Sequence, residues 1–433
     1  MAISSVSRDQ TLDASGFPQK TNMPALAMVT TLFFMWGLMT CLNDILIPHL
    51  KSIFDLNYAE VMLVQFAFFS AYFVFSFPSG KLVGWAGYHK AMVLGLFTMG
   101  LGAFLFIPAA SVPSFPFFLV ALIILAAGMT ILQVSANPYV NVLGPAKSAP
   151  SRLNLAQAFN SLGTTIAPKL GGILILSAAP LTLEVMHHMA PGALHAYRVQ
   201  QAASVKLPYT VLGIALVLLG IVIGKFKLPA IAAVQHDHHS EVHESVWRYR
   251  HLVLGAIGIF VYVGAEVAVG SFLVNYLSLR NIGNVTEIVA AGLVSFYWGG
   301  LMVGRFIGSA VMRWVPANRV LGVSAIVAML LVCLTMRSSG QLAVWSVISV
   351  GLFNSIMFPT IFSLSIEGLG PLTNDGSGVL VAAIIGGAAI PELQGIVADR
   401  IGIQHAFFIP ALCYLYVIYF AFRGYRRTDR SAA

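Results

Sequence analysis

The chain has 433 residues, of which 58% are hydrophobic and 9% are charged, and its formal net charge is +8. Because this small number of charged residues cannot cover the surface of a soluble core of this size, the composition indicates an integral membrane protein. A nucleic-acid-binding protein would need a basic face on a soluble domain, and this composition excludes such a domain.

Twelve stretches of the sequence are apolar over about 20 residues, the length with which an α-helix crosses the hydrocarbon core of a bilayer. We predict spans at residues 26–49, 59–80, 90–111, 116–141, 153–177, 207–226, 249–279, 286–311, 318–336, 341–366, 376–399 and 404–424. These runs are continuous and do not alternate with a period of two, which excludes a β-barrel. The predicted fold class is an all-α membrane protein with twelve transmembrane helices.

The first span carries two adjacent polar residues, Asn43 and Asp44, within the stretch FFMWGLMTCLNDILIPHLK. An ionised carboxylate at the middle of a helix costs about 2.5–3.5 kcal/mol on insertion scales, so it faces a cavity, a partner or a proton. Asp44 is a candidate for cation coupling, and both residues are candidates for substrate binding. Asp44 could exchange a proton, bind Na⁺ or accept hydrogen bonds from hydroxyl groups. Solvation or pairing near the helix end is the alternative, although Lys51 is about two turns away.

The fourth and fifth spans carry amides at helical spacing. Gln133 and Asn137 are four residues apart, and Gln157 and Asn160 are three apart, so each pair lies on one face of its helix. Neutral amides both donate and accept hydrogen bonds, which suits a sugar. The alternative is hydrogen bonding between helices, which uses the same residue types in membranes. All four are predicted substrate-binding residues.

The second half of the sequence supplies a further set of candidates. Aromatic rings can pack on the apolar face of a pyranose, and amides can bind its hydroxyl groups. The predicted substrate-binding residues here are Tyr262, Glu266, Asn275, Asn354 and Phe358. Glu266 is also a candidate for cation coupling, and sugar contact, coupling and structural pairing remain open for it.

The chain divides at its most polar internal stretch, residues 225–250, with six predicted spans on each side. Most Lys and Arg residues fall on one predicted side, among them Lys81, Lys147, Arg152 and Arg305, which places both termini in the cytoplasm. We assign residues 1–25 to a cytoplasmic tail, 26–226 to a six-helix bundle and 227–248 to a cytoplasmic His-rich linker. Residues 249–424 form a second six-helix bundle in this assignment, and residues 425–433 form a second cytoplasmic tail.

The two halves echo each other, since APKLGGIL at residues 167–174 is similar to IPELQGIV at residues 390–397. Such an echo is typical of two bundles related by a pseudo-twofold axis, with the substrate bound between them near the midplane. Lys169 and Glu392 occupy equivalent positions in it. They could form alternating ion pairs at a gate or act in cation coupling, and Lys169 could instead extend to the outer surface.

The sequence offers little sign of catalysis: a membrane enzyme is a third alternative, for which His187, His188 and His195 supply only a weak constellation. The His-rich stretch HDHHSEVH at residues 236–243 is interpreted as a solvated linker and not as a transition-metal site. No nucleotide-binding loop, metalloprotease pair or hydrolase elbow is present. We therefore expect no enzyme activity, no metal site and no cofactor beyond a coupling ion, H⁺ or Na⁺.

Several motifs resemble those of a known family. The loop GKLVGWAGYHK at residues 80–90 resembles the Gly-rich cytoplasmic loop of the major facilitator superfamily, with Gly84 where an Asp is common. The stretches WGLMTCLNDILIPHLK, QVSANPYVNVLGP, SRLNLAQAFNSLGTTIAP, YVGAE and MFPTIFSLSIEGLG are similar to the fucose:proton symporter and glucose/galactose permease family. The fucose symporter is known for a second acid in the fourth helix, and Gln133 at this place is more similar to the glucose/galactose branch.

This resemblance implies a monomeric, multi-pass protein of a bacterial inner membrane that imports a hexose by alternating access. It favours glucose or galactose over fucose, symport with H⁺ over Na⁺ coupling or uncoupled transport, and sugar contacts for Gln133 and Asn160. A drug or metabolite exporter of the same fold is the alternative.

Overall fold

The computed structural model describes residues 20–54, 58–112, 114–174, 185, 188–229 and 245–427, and every regular element in these ranges is helical. The first half contains α1 Met23–Phe54, α2 Tyr58–Ser111, α3 Phe115–Val142, α4 Ala149–Leu174, α5 Pro191–Ala203 and α6 Lys206–Lys225. The second half contains α7 Arg250–Leu277, α8 Glu287–Val311, α9 Ala317–Arg337, α10 Gly340–Asn354, α11 Met357–Ile366, α12 Thr373–Ala382, α13 Gly386–Ile401, α14 Ile403–Ala406 and α15 Phe408–Tyr419. Most of the predicted His-rich linker lies outside the described residues.

The long helix α2 covers the second and third predicted spans. Gly87 interrupts it with φ 79° and ψ 163°, between residues 80 and 90 where the loop was predicted. A positive φ at this bend favours glycine, which has no Cβ to clash with the backbone. α2 is therefore two helical segments joined at a bend.

The tenth predicted span is also interrupted. α10 ends at Asn354 and α11 begins at Met357, and both flanks of the break are buried. A break inside a buried helix leaves backbone carbonyl groups without their usual helical partners, so side chains must satisfy them.

Within the described residues, nine helical stretches are long and apolar enough to cross a membrane. One of these stretches, Leu63–Ser111, covers two predicted spans, while α4 and α8 are not among the nine. An all-helical membrane fold is confirmed, and the count of twelve crossings stays a prediction.

α1 and α4 cross at glycines. A Cβ on Gly37 would collide with the backbone oxygen of Asn160, and a Cβ on Gly163 would lie 2.8 Å from the backbone nitrogen of Leu38. Such close backbone approach is typical of helix packing in membranes. It also lets the Asn160 amide nitrogen donate to the Phe33 carbonyl oxygen at 3.0 Å.

We expect Gly37→Ala to force α1 away from α4, because the new methyl group has no space at this crossing. Overpacking of this kind costs about 1–3 kcal/mol. The thermal midpoint of the purified protein should fall measurably. Gly299→Ala is the matched control, since a Cβ there meets no atom within 4 Å. Equal midpoints for the two variants would contradict the close crossing.

Candidate functional site

Three predicted site residues lie in helices whose local side chains the structure does not describe. Asn43 and Asp44 are within α1, and Lys169 is within α4. Their helical backbone is described, but their side chains lie outside the described part of the chain. Their roles in coupling and binding stay predictions.

A cluster of buried amides lies on α3 and α4. Gln133, Asn137 and Gln157 are each no more than 3% exposed. The Oε1 of Gln133, both amide atoms of Asn137 and the Nε2 of Gln157 find no hydrogen-bond partner in the protein. A buried polar atom without a partner costs about 1–3 kcal/mol, so these atoms are available to a polar ligand at a favourable free energy. Tyr72 lies beside Gln133 and was not found from the sequence.

Asn160 differs from these three. It is half-buried, and its amide nitrogen donates to the Phe33 carbonyl oxygen of α1. The Nδ2 of Asn160 therefore makes a helix-to-helix hydrogen bond, which is the alternative role predicted for the amides.

A second polar cluster joins three helices of the other half. The Tyr262 hydroxyl of α7 donates to the Asn354 carbonyl oxygen at 2.8 Å, and the Asn354 Nδ2 donates to the Tyr297 hydroxyl of α8 at 3.0 Å. The Tyr297 hydroxyl in turn donates to the Glu266 carbonyl oxygen at 3.2 Å. Tyr414 of α15 lies near Asn354 and Glu266. The structure therefore brings three predicted residues, Tyr262, Glu266 and Asn354, into one cluster.

The remaining predicted residues of this half lie apart from that hydrogen-bonded chain. Phe358 is buried in α11, where its ring centroid lies 6.0 Å from that of Phe362. Asn275 is exposed on α7, and Glu392 is exposed on α13. No described contact tests their predicted roles.

Arg305 was predicted among the charges on the cytoplasmic side, and the structure shows that its side chain is not a solvated charge. It lies inside α8 and is only 8% exposed. Its Nε donates to the Ser355 carbonyl oxygen at 3.1 Å, and one terminal nitrogen donates to the Gln157 carbonyl oxygen at 3.1 Å and to the Ser161 hydroxyl. A charged arginine at the middle of a span costs about 2.5–3.5 kcal/mol of insertion free energy. This cost was the signal that could have identified Arg305 as a functional residue.

Arg152 was assigned to the same surface and is also buried. Its guanidinium donates to the carbonyl oxygens of Val140, Asn141, Gly144 and Pro145 and so caps the end of α3. Cations at a helix C-terminus satisfy carbonyl groups that lack helical partners.

The two halves are joined at one end of the bundle by neutral hydrogen bonds. The Ser151 hydroxyl donates to the Ser309 carbonyl oxygen at 2.6 Å, and the Ser309 hydroxyl donates to the Ser151 carbonyl oxygen at 2.9 Å. The Asn154 Nδ2 donates to the Thr360 hydroxyl at 3.2 Å. These contacts close the end of the bundle at which α4 begins and α8 ends.

A family model described as Major Facilitator Superfamily matches residues 27–384. The chain belongs to this superfamily. It is therefore a multi-pass membrane protein, as its apolar helices indicate.

Individual members of the superfamily are similar over nearly the whole chain. The chain is 51% identical over 406 residues to a glucose/galactose transporter of Brucella abortus, covering 94% of this chain and 95% of the relative. It is 37% identical over 418 residues to the L-fucose-proton symporter of Escherichia coli, covering 93% and 94%. A crystal structure of the superfamily transporter FucP in the outward conformation superimposes with a TM-score of 0.87 at 35% identity, covering 94% of this chain and 99% of that one.

The glycine-rich loop of this superfamily member lies against the other half. A Cβ on Gly80 would lie 3.0 Å from the Asn374 backbone oxygen, and a Cβ on Gly84 would lie 3.8 Å from the Asn374 Nδ2. Where an Asp is common in the superfamily, Gly84 therefore leaves a neutral contact with the first turn of α12. This contact lacks the attraction that a carboxylate has for a helix N-terminus.

We expect Ser309→Ala to weaken the closed end, because it removes one donor and leaves the Ser151 carbonyl oxygen without that bond. A lost hydrogen bond of this kind costs about 1–3 kcal/mol. Paired spin labels on the two halves should show more molecules with the halves apart at this end. Ser338→Ala is the control, since its exposed hydroxyl bonds only within its own helix end. An unchanged distance distribution for Ser309→Ala would contradict a role in closure.

Proposed function

We propose that this protein imports a hexose by cation-coupled symport, with H⁺ as the coupling ion. The observation that carries the proposal is the set of buried, unpartnered amide atoms on Gln133, Asn137 and Gln157. They supply donors and acceptors without charge, which is what the hydroxyl groups of a sugar require. The names of the Brucella abortus and Escherichia coli relatives support the same substrate class.

Glucose or galactose is the proposed substrate, and fucose is the second candidate. The resemblance to the fucose symporter family implies an acid in the fourth predicted span, and this chain has Gln133 there. The similarity to the glucose/galactose transporter is also the higher of the two, at 51% against 37% identity. The proposed sugar contacts in this half are Gln133, Asn137, Gln157 and Asn160, and the proposed contacts in the other are Tyr262, Glu266 and Asn354.

The proposed mechanism is alternating access. Two bundles of six helices rock about the site, and contacts at one end replace contacts at the other. Asp44 takes up the proton, which removes a charge that is costly to carry through the membrane interior. With only one of the two ligands bound, reorientation remains unfavourable, and this links sugar movement to proton movement.

The proposed setting is a bacterial inner membrane, with twelve crossings, both termini in the cytoplasm and a monomeric state. The excess of Lys and Arg on one predicted side supports the orientation. Transport needs no enzyme activity and no bound cofactor in this scheme. Lys169 and Glu392 are proposed as additional charges in coupling or gating.

The first experiment is uptake of labelled glucose, galactose and fucose into proteoliposomes under an imposed pH gradient or Na⁺ gradient. We expect accumulation of glucose or galactose driven by the pH gradient. Accumulation driven by Na⁺ alone would replace the coupling ion in the proposal. No uptake of any sugar under either gradient would contradict it and favour an exporter.

Asp44→Asn should abolish accumulation against a gradient, because the amide cannot exchange a proton. Counterflow exchange of sugar, which needs no net proton movement, should persist. Asp399→Asn is the matched control, since Asp399 is exposed at the end of α13. Unchanged accumulation in Asp44→Asn would remove Asp44 from the coupling role.

A further inference from the structure

We propose that Arg305 is a positioning residue that clamps the two halves together in this conformation and transfers to Glu266 when they separate. The proposal rests on alternating access but on neither the identity of the sugar nor that of the coupling ion. It follows from the hydrogen bonds of one buried guanidinium and from the location of each acceptor.

The acceptors of Arg305 belong to both halves of the protein. Gln157 and Ser161 are one turn apart on α4, and the guanidinium reaches the backbone oxygen of the first and the hydroxyl of the second. Its Nε meanwhile donates to the Ser355 carbonyl oxygen, at the break between α10 and α11. Arg305 therefore links α4 of the first half to the interrupted helix of the second.

The break between α10 and α11 holds the clamp in a defined place. Its two adjacent carbonyl oxygens, on Asn354 and Ser355, accept from Tyr262 and Arg305 respectively. The bond to Ser355 lies within the second half, so it can persist when the halves move. The bonds to Gln157 and Ser161 cross between the halves and must break if α4 and α8 separate.

A guanidinium that loses these acceptors while it is still buried needs a new partner, since an uncompensated buried charge is strongly destabilising. Glu266 is an acid linked to the same break, because the Tyr297 hydroxyl accepts from the Asn354 Nδ2 and donates to the Glu266 carbonyl oxygen. Asn354 directly precedes Ser355, whose carbonyl oxygen accepts from Arg305. Among the described residues the side chains of Glu266 and Arg305 form no ion pair within 4.0 Å here. Glu266 is half-buried on α7 of the same half, so it moves with Arg305 when the halves part.

Two exclusive arrangements follow. With the halves together at this end, Arg305 binds α4; with the halves apart, it pairs with Glu266. Gln157 connects the clamp to the amide cluster, because its backbone oxygen accepts from Arg305 while its Nε2 has no partner in the protein. A ligand on Gln157 or Glu266 therefore acts directly on a residue that one of the two arrangements uses.

The test measures the distance between spin labels at Lys147 and Trp314, which are exposed at the joined end on opposite halves. The background has its cysteines replaced, and no sugar is present. Arg305→Gln should increase the ratio of separated to joined molecules roughly tenfold, because it removes charged hydrogen bonds across the interface. Glu266→Gln should change the ratio in the opposite direction, because it removes the partner for the separated state. Arg313→Gln, an exposed arginine just beyond the same helix, is the matched control and should leave the ratio unchanged.

Two milder variants keep the test decisive if Arg305→Gln does not fold. Ser161→Ala removes a single acceptor and should give a smaller shift towards separation. Arg305→Lys should also give a smaller shift, because lysine keeps the charge but lacks the planar guanidinium with its several N–H donors. A merely structural role would lower the melting temperature without opposite shifts. Shifts of the same sign for Arg305→Gln and Glu266→Gln, or no shift for Ser161→Ala and Arg305→Lys, would overturn the proposal. Opposite shifts without hexose uptake would support the clamp while contradicting the proposed function, and uptake without shifts would do the reverse.

Discussion

Polar groups inside a membrane-spanning bundle must find partners in the protein or in a ligand, because lipid supplies none. This constraint separates the polar residues of the chain into two kinds. Arg152, Asn160, Arg305 and Asn354 donate to backbone or side-chain oxygens of neighbouring segments. The amides of α3 and α4 keep unpartnered atoms while they are buried. The first kind joins the segments of the bundle, and the second kind supplies proposed sugar contacts, as does Asn354, whose Oδ1 is also unpartnered.

The contacts between the halves are neutral at the joined end, and this suits a protein that must open and close. Within the described ranges, hydroxyl and amide groups make the hydrogen bonds there, and Arg305 adds its charge without a carboxylate partner across the interface. Each hydrogen bond contributes a net free energy of about 0.5–1.5 kcal/mol to stability, so a few of them can break without a large barrier. A set of buried ion pairs would cost far more to separate. The contact between Gly84 and Asn374 is another neutral contact between the two halves.

The sequence predicted the helical membrane fold and the buried amides of Gln133, Asn137 and Gln157, because hydropathy and helical spacing both depend on local residues. It also singled out Glu266 and Asn354, which share one cluster. It missed Arg305 because a cation near a span end reads as a loop residue when the direction of its side chain is unknown. Tyr72 and Tyr414 were missed for a similar reason. A tyrosine in an apolar helix shows its role only when the rotation of that helix and its neighbours are known.

The arrangement of charge suits the proposed transport of a neutral sugar together with a cation. The amides of Gln133, Asn137 and Gln157 on α3 and α4 carry no charge. Glu266 and Arg305 are ionisable side chains of the other half, on the neighbouring helices α7 and α8. Arg305 donates to the backbone oxygen of Gln157, so the second half is bonded to the first half at a residue whose side-chain Nε2 is buried without a partner. In the proposed mechanism, sugar binding and charge movement therefore meet at one helix crossing, α4 against α8, and this crossing opens when the halves separate.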